Sequence, residues 1–208
     1  MPEFFMNPLL ETTDIAKQLL GCVLSYTQNG KRRSGWIVET EAYLGEKDQA
    51  AHTYQRHQSK RVEALYAPAG TFYIHQMMQH TMINISTKEN GNPEGVLIRA
   101  IQPIEGKDTM AKNRGNKPQL EWTNGPGKLT QALGVTMADY GTLATEGRLQ
   151  ISEEGRRQPL EIISGPRIGI PNKGKWTEAP LRFYIKGNPF VSRTAKKYHD
   201  LETYGWEE

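Results

Sequence analysis

Apolar and polar residues alternate in many short runs along this chain, and that pattern predicts a fold rich in β-strands. Two of these runs flank Asn29-Gly30, which is a strong signal for a two-residue hairpin turn between antiparallel strands. The runs that we interpret as strands cover residues 22–26, 35–43, 71–75, 82–86, 96–101, 149–151, 160–163, 167–170 and 181–185.

Helical signals are fewer and shorter than strand signals. Residues 12–14 (TTD) are typical of a helix N-cap, an apolar face follows from Ile15, and Gly21 fits the C-cap. Two further helices are predicted over residues 105–113 and 128–133, the second closed by a glycine.

Strands interspersed with short helices, without regular alternation, predict an α+β fold with a mixed or antiparallel curved sheet and short flanking helices. The chain has 208 residues, which is enough for one domain with a substantial core. Because no repeat or linker-like segment interrupts it, we expect residues 1–208 to form a single domain. Residues 1–7 and 194–208 are expected to be peripheral tails.

Composition narrows the cellular setting. A hydrophobic content of 37% is typical of a globular protein, and the N-terminus lacks the basic and apolar regions of a signal peptide. No apolar stretch approaches the roughly 20 residues of a membrane helix. The single cysteine, Cys22, excludes an internal disulfide and a thiolate zinc site, and we interpret it as a buried strand residue. We therefore expect the protein in the reducing cytoplasm, nucleoid-associated if bacterial, without membrane association. We also expect it to be a monomer.

Charge favours a polyanionic partner. The net charge is +3, and basic residues cluster at 31–33, 56–61, 112–117 and 193–197, several of them beside predicted loops. Loop cations of this kind can contact phosphates, although any single cluster is also explained as solvated surface. Residues 125–128 (GPGK) open a predicted helix, so free backbone N–H groups and Lys128 form a candidate anion site.

The strand at 35–43 carries the candidate chemistry. Alternation places Ile37, Glu39, Glu41 and Tyr43 on one face. Two carboxylates beside a tyrosine are costly to bury, so this face is expected to border a cleft where one glutamate acts as acid or base. The alternative is an ion pair, for which Arg99, in the middle of an apolar run, is a plausible partner.

Other polar and aromatic residues are ambiguous by themselves. His52 is interpreted as a hydrogen-bonding residue, and the spacing of His75 and His80 does not fit a metal site, so no metal is expected. The adjacent methionines Met77 and Met78 lie in a polar stretch, which favours one of them as an exposed wedge.

Seven segments together resemble the alkyladenine (3-methyladenine) DNA glycosylase family. They occur in the family's order and at close to its spacing, over about residues 8–192. The segments are residues 38–45 (VETEAYLG), 48–52 (DQAAH), 68–71 (PAGT), 84–86 (NIS), 96–100 (VLIRA), 125–129 (GPGKL) and 180–184 (PLRFY).

The resemblance implies a monofunctional glycosylase that flips a damaged purine out of double-stranded DNA and hydrolyses its N-glycosidic bond. Glu41 matches the base that activates water, while Arg99 and a backbone carbonyl near Ile168 match the groups that hold that water. Alkylated purines are positively charged and leave easily, so no cofactor and no lysine nucleophile are expected.

The resemblance also implies how the nucleotide is held. Tyr43 matches an aromatic wall of the base pocket, His52 a hydrogen-bonding residue, and Asn84 the side chain that discriminates against guanine. Ser59 and Arg61 fall where the family contacts the DNA backbone.

The chain departs from vertebrate-type members at two positions. A second stacking tyrosine is replaced by His75, and an intercalating tyrosine by Met77 or Met78. We therefore expect excision of hypoxanthine and ethenoadenine to be weaker than excision of cationic 3-methyladenine or 7-methylguanine.

Two other functions fit parts of the pattern. Glu39 and Glu41 could form the carboxylate pair of a carbohydrate hydrolase, and the same fold could be a non-catalytic nucleic-acid-binding module. Replacement of Glu41 by glutamine discriminates between these, because only an enzyme has base release to lose.

Overall fold

The computed structural model describes residues 2–7, 9–89 and 91–208, and within these ranges eight strands form one curled antiparallel sheet. Its main path runs β3-β4-β5-β2-β1-β6, while β8 joins β2 and carries β7. The strands are β1 (Val23–Gln28), β2 (Lys31–Tyr43), β3 (Phe72–Met77), β4 (His80–Ser86), β5 (Gly95–Glu105), β6 (Leu149–Ser152), β7 (Ile162–Gly165) and β8 (Arg182–Ile185).

Short helices pack on this sheet, as the sequence predicts. The α-helices are α1 (Thr12–Gln18), α2 (Lys107–Asn113), α3 (Pro126–Leu133) and α4 (Lys175–Glu178). Single 3-10 turns span Glu3–Met6, Gly45–Lys47, Tyr54–Arg56, Glu63–Leu65, Gln119–Glu121, Met137–Asp139 and Lys196–Tyr198. The α+β class is confirmed.

Strand β2 lies at the centre of the sheet and pairs with β1, β5 and β8. It begins at Lys31, earlier than predicted, because Asn29 and Gly30 have positive φ angles of 52° and 70° and close the β1–β2 hairpin directly. One edge of β2 pairs with β5, while the other pairs first with β1 and then, from Glu39, with β8.

A register shift in β2 changes the predicted faces. Ile37 pairs with Ile101 and Glu39 with Ala100, so Val38 is the extra residue of a β-bulge. Ile37 and Val38 both belong to the apolar core. Ile37 therefore does not share the face of Glu39, contrary to the prediction.

The core lies between the sheet and helices α1 and α3. Helix α1 contacts β2, β5 and β8, while α3 contacts β4 and β5. Cys22 is buried, as predicted, and is a free thiol. The largest buried aliphatic side chains include Ile15, Leu19, Leu24, Ile37, Ile74, Ile83 and Ile85.

Both predicted tails carry buried aromatic residues, which attach them to the rest of the domain at those positions. Phe4 and Phe5 are buried near the N-terminus. Trp206 is fully buried, its ring centroid 6.0 Å from that of Trp36, and the guanidinium of Arg157 lies 5.2 Å from its ring. Removal of these large rings from water and the cation–π contacts hold the C-terminal segment on the sheet.

The predicted strand at residues 167–170 is also wrong. Strand β7 ends at Gly165, and Ile168-Gly169 forms a turn in which Gly169 has a φ of 79°. The glycine favours this turn because its backbone is in the left-handed region.

Candidate functional site

Four strands contribute a row of side chains to one face of the sheet. Tyr73 on β3 pairs with Asn84 on β4, Asn84 with Leu97 on β5, and Leu97 with Glu41 on β2. Directly paired residues point to the same face, so this row converges on one region. A cleft of about 650 Å³ lies there, bordered also by the turn at residues 168–170 and the start of α3.

Glu41 lies fully buried beneath this cleft, whose wall includes three residues that contact it. The backbone N–H of Ile168 donates to its Oε1 over 2.7 Å, and the Tyr43 hydroxyl donates to its Oε2 over 2.9 Å. Arg99 Nη1 lies 3.1 Å from Oε1. The burial of a carboxylate is thus offset by three hydrogen-bonding or charged partners.

Glu39 has a different set of partners. Arg182 donates to Oε1 over 2.6 Å, and Ser192 donates from both its N–H and its hydroxyl over 2.9 Å. Arg99 Nε lies 3.4 Å away, so this guanidinium bridges both glutamates, as the ion-pair interpretation predicts. Glu39 therefore fastens the segment at Ser192 to the sheet.

The strand face of Glu39 and Glu41 lies beside a cleft, as expected, but both carboxylates are fully buried and neither lines the cleft itself. Loss of hydration raises the pKa of Glu41, while Arg99, the Ile168 N–H and the Tyr43 hydroxyl lower it and Glu39 raises it. The net direction is upward, so this carboxylate binds a proton more readily than an exposed glutamate does.

Four ring or amide side chains form a connected group on the other side of the cleft. His52 Nδ1 lies 2.8 Å from the Tyr73 hydroxyl. The His75 ring stacks on Tyr73 with a centroid distance of 4.9 Å, and Asn84 Nδ2 donates to His75 Nδ1 over 3.1 Å. Each of these residues lines the cleft.

His75 is a neutral side chain in this arrangement. Burial, then the neighbouring His52 and Arg61, lower its pKa to about 3. Acceptance of the Asn84 bond at Nδ1 places the ring proton on Nε2, which has no hydrogen-bond partner among the described residues. One ring face is already covered by Tyr73, so stacking of His75 on a base remains a prediction for the other face.

The two candidate wedges lie at the tip of the β3–β4 hairpin. Met77 is 49% exposed, whereas Met78 is 91% exposed and has a φ of 54° in the two-residue turn. Both border the cleft. Arg61, from the exposed loop that also carries Ser59, donates to the Gln76 carbonyl over 3.1 Å and so joins that loop to the hairpin.

Lys128 lies in the first turn of α3, which begins at Pro126 as the helix-opening motif predicts. Its Nζ donates to Asn124 Oδ1 over 2.9 Å, and residues 124–128 all line the cleft. The Cβ of any residue other than glycine at position 127 would lie 2.8 Å from His80 Cβ, so Gly127 allows this turn to approach the hairpin.

Sequence reasoning missed several residues of the site. Arg167 and Asp48 form a fully buried ion pair beside Tyr43, and Ser192 lines the cleft next to Arg193 of the predicted basic cluster at 193–197. A signal existed for Asp48, which lies in the motif at 48–52. The role of Arg167 was hidden because its segment resembled a strand.

Within residues 2–7, 9–89 and 91–208, no cluster of side chains suited to a metal ion occurs. No described helix has the length and apolar character needed to span a bilayer.

Comparison with known proteins identifies the family. A family model for methylpurine-DNA glycosylase matches residues 4–189. A Staphylococcus saprophyticus protein is 50% identical over 196 residues, 94% of this chain and 96% of that protein. An Enterococcus faecalis protein is 43% identical over 197 residues, 95% of this chain and 86% of that protein. Both relatives carry provisional names as 3-methyladenine DNA glycosylases. The chain therefore belongs to the methylpurine-DNA glycosylase family of DNA base-excision-repair enzymes.

Proposed function

We propose that this glycosylase flips alkylated purines out of duplex DNA and hydrolyses the N-glycosidic bond with a water activated by Glu41. The observation that carries the proposal is the Glu41 carboxylate, held by Arg99, Tyr43 and Ile168 under a cleft large enough for a purine nucleotide. Base-flipping enzymes read an extruded base by stacking and by hydrogen bonds, and this cleft offers both kinds of group.

In the proposed reaction, the water oxygen forms a bond to C1′ of the deoxyribose while the C1′–N bond to the purine breaks. The bonding electron pair leaves with the purine, and the water proton passes to Glu41. Arg99 and the backbone carbonyl near Ile168 are proposed to hold the water. The strand is left intact with an abasic site, because no enzyme amine takes part in the reaction.

The proposed substrates are 3-methyladenine and 7-methylguanine first, with hypoxanthine and ethenoadenine as weaker substrates. A cationic base leaves as a neutral molecule, whereas neutral hypoxanthine needs a proton to leave easily. The pKa of His75, lowered to about 3 by burial, His52 and Arg61, makes it a poor source of that proton at neutral pH.

This order of substrates is tested by single-turnover base release from duplexes that carry 7-methylguanine, ethenoadenine, hypoxanthine or undamaged adenine. We expect fastest release of 7-methylguanine after correction for each lesion's spontaneous rate. Comparable corrected rates for hypoxanthine and the cationic lesion would contradict the proposed preference.

We propose Met78 as the wedge that fills the space of the flipped nucleotide. Met78→Ala is expected to slow base release from duplex DNA by about tenfold, since unstacking costs a few kcal/mol that the wedge offsets. Release from single-stranded lesion DNA should change little. Met137→Ala is the control, because Met137 is 42% exposed and does not line the cleft. Equal effects of the two substitutions on duplex DNA would assign the wedge elsewhere.

The rate should fall on acidification with the protonation of Glu41. Burial raises the pKa of this carboxyl against the lowering effect of Arg99, Ile168 and Tyr43. As the pH is lowered, the loss of activity should therefore begin at a higher pH than the protonation of an exposed glutamate. Single-turnover rates on 7-methylguanine DNA between about pH 4 and pH 8 measure this limb. A rate independent of pH down to the ordinary glutamate pKa would contradict Glu41 as an ionised base.

The site agrees less well with the two alternative functions, a glycoside hydrolase and a non-catalytic binding module. A two-carboxylate glycoside hydrolase needs both glutamates at the substrate, but Glu39 is occupied by Arg182 and both donors of Ser192. A pure binding module has no use for a buried carboxylate beneath its cleft.

Double-stranded DNA with damaged purines is the proposed partner. Lys128 is proposed to contact a phosphate of the bound strand, together with Ser59 and Arg61 on the exposed loop that contacts the β3–β4 hairpin. The monomeric state is an expectation that gel filtration can test.

A further inference from the structure

Arg167 lies beside Glu41, the proposed general base, without contacting its carboxylate. Its Nη2 donates to Asp48 Oδ1 over 2.9 Å, its Nη1 also contacts the other Asp48 oxygen, and both side chains are fully buried. Nη1 further donates to the Ala42 carbonyl of β2 over 2.9 Å. This guanidinium therefore ties the 166–170 turn to the strand that carries Glu41.

The same guanidinium supports both neutral donors of the Glu41 carboxylate. It lies 4.6 Å from the Tyr43 ring centroid, and the Tyr43 hydroxyl donates to Oε2. The residue that follows it, Ile168, donates its backbone N–H to Oε1. A displacement of Arg167 would move both donors at once.

Asp48 is itself fixed. Its carboxylate accepts the backbone N–H of Leu44 over 3.2 Å and that of Ala50 over 2.9 Å. A charged pair with bidentate geometry and additional backbone donors is one of the few arrangements in which burial of two charges is compensated. The position of Arg167 is thus determined by the loop after β2.

We propose that Arg167, held by Asp48, is a positioning residue that keeps the Ile168 N–H and the Tyr43 hydroxyl on the Glu41 carboxylate. This inference rests on the proposed role of Glu41 as the base. Arg167 contacts neither substrate nor water in this account, and it acts only through these two donors.

The test uses Arg167→Lys, which keeps the buried positive charge but cannot hold two carboxylate oxygens and a carbonyl in one plane. We expect the single-turnover rate at neutral pH to fall about 10- to 100-fold, as small misplacements at active sites do. The acid limb of the rate profile should also move to higher pH, because both donors lower the pKa of Glu41 and their loss lets it rise.

A shift of the acid limb in Arg167→Lys can be assigned to the lost donors, because the other charged and titratable groups that face Glu41 are retained. They are Arg99 on β5, Arg182 on β8, and Glu39 and Tyr43 on β2 itself. Arg148→Lys is the control for the same change of side chain, because Arg148, although 41% exposed, pairs with buried Asp139 over 2.9 Å outside the cleft. That variant should lower the unfolding temperature slightly and leave the limb unchanged.

A lower unfolding temperature for Arg167→Lys with an unchanged acid limb would overturn the inference, whatever the rate. If Arg167→Lys does not fold, Asp48→Asn decides, because it keeps the side-chain shape and one acceptor for Arg167. That variant should shift the limb in the same direction, and an unshifted limb overturns the inference equally. Glu41→Gln in the same assay tells failure of the proposed general base from failure of the positioning role. If Glu41→Gln stays active, Glu41 is not the general base. If Glu41→Gln is inactive but Arg167→Lys has the wild-type acid limb, only the positioning role of Arg167 fails.

Discussion

Glu41→Gln is expected to lower the single-turnover rate of base release by about 10²- to 10⁴-fold, the usual contribution of a general base. Glutamine has nearly the shape of glutamate but cannot accept the proton of the attacking water. Affinity for lesion DNA should be kept or increased, because a buried negative charge near the phosphates is removed.

Glu39→Gln is the matched control for this substitution. Glu39 lies on the same strand and is equally buried, but its carboxylate accepts from Arg182 and Ser192. We expect it to lower the free energy of unfolding and to slow base release far less than Glu41→Gln does. Equal losses of rate in both variants would show that the effect comes from the shared ion network and not from proton acceptance.

Arg99→Leu is expected to be the most destabilising single substitution at the site. The guanidinium lies within 3.4 Å of Glu39 and 3.1 Å of Glu41, and both carboxylates are fully buried. Removal of one partner from a buried ionic group leaves an uncompensated charge and costs about 3–5 kcal/mol. Chemical denaturation at neutral pH measures the loss, and base release should be lost as well.

The loss of unfolding free energy in Arg99→Leu, called the deficit here, should grow as the pH rises. Without Arg99, burial raises the pKa of Glu41 further above its value in the unfolded chain. The folded state then binds more protons than the unfolded state, so stability falls as pH rises between the two pKa values. The deficit is therefore smallest at acidic pH. Arg32→Leu, which breaks an exposed pair with Glu105, should cost only about 0–1 kcal/mol. A deficit independent of pH would contradict this account.

The sequence predicts the local parts of this fold because local rules decide them. The Asn29-Gly30 turn, the strands around it and the helix that opens at Pro126 follow from turn chemistry, alternation and helix-end preferences. The pairing of Arg99 with the glutamates also follows, since a lone buried guanidinium is too costly. Family membership, inferred from spaced motifs, is confirmed by the family match.

The rest depends on contacts between distant segments. The bulge at Val38, which separates Ile37 from the face of Glu39, is set by the register with β5. Trp206 lies in a polar segment, and its burial depends on distant partners that include Trp36 and Arg157. The Arg167 turn is fixed by Asp48, which is 119 residues away in the chain.

The candidate site shows the same division. The sequence and the resemblance indicate which residues gather at the cleft, and Tyr43, His52, His75, Asn84 and Arg99 do line it. Neither indicates that His75 stacks on Tyr73 or that Glu41 lies beneath the surface, because both depend on how four strands align.

The most direct test of the central claim is product analysis of wild-type enzyme with a duplex that carries one 7-methylguanine. We predict release of the free base and an otherwise intact strand that breaks only on alkali treatment. Salt-sensitive duplex binding without base release, or strand cleavage without alkali, would contradict a monofunctional hydrolytic glycosylase.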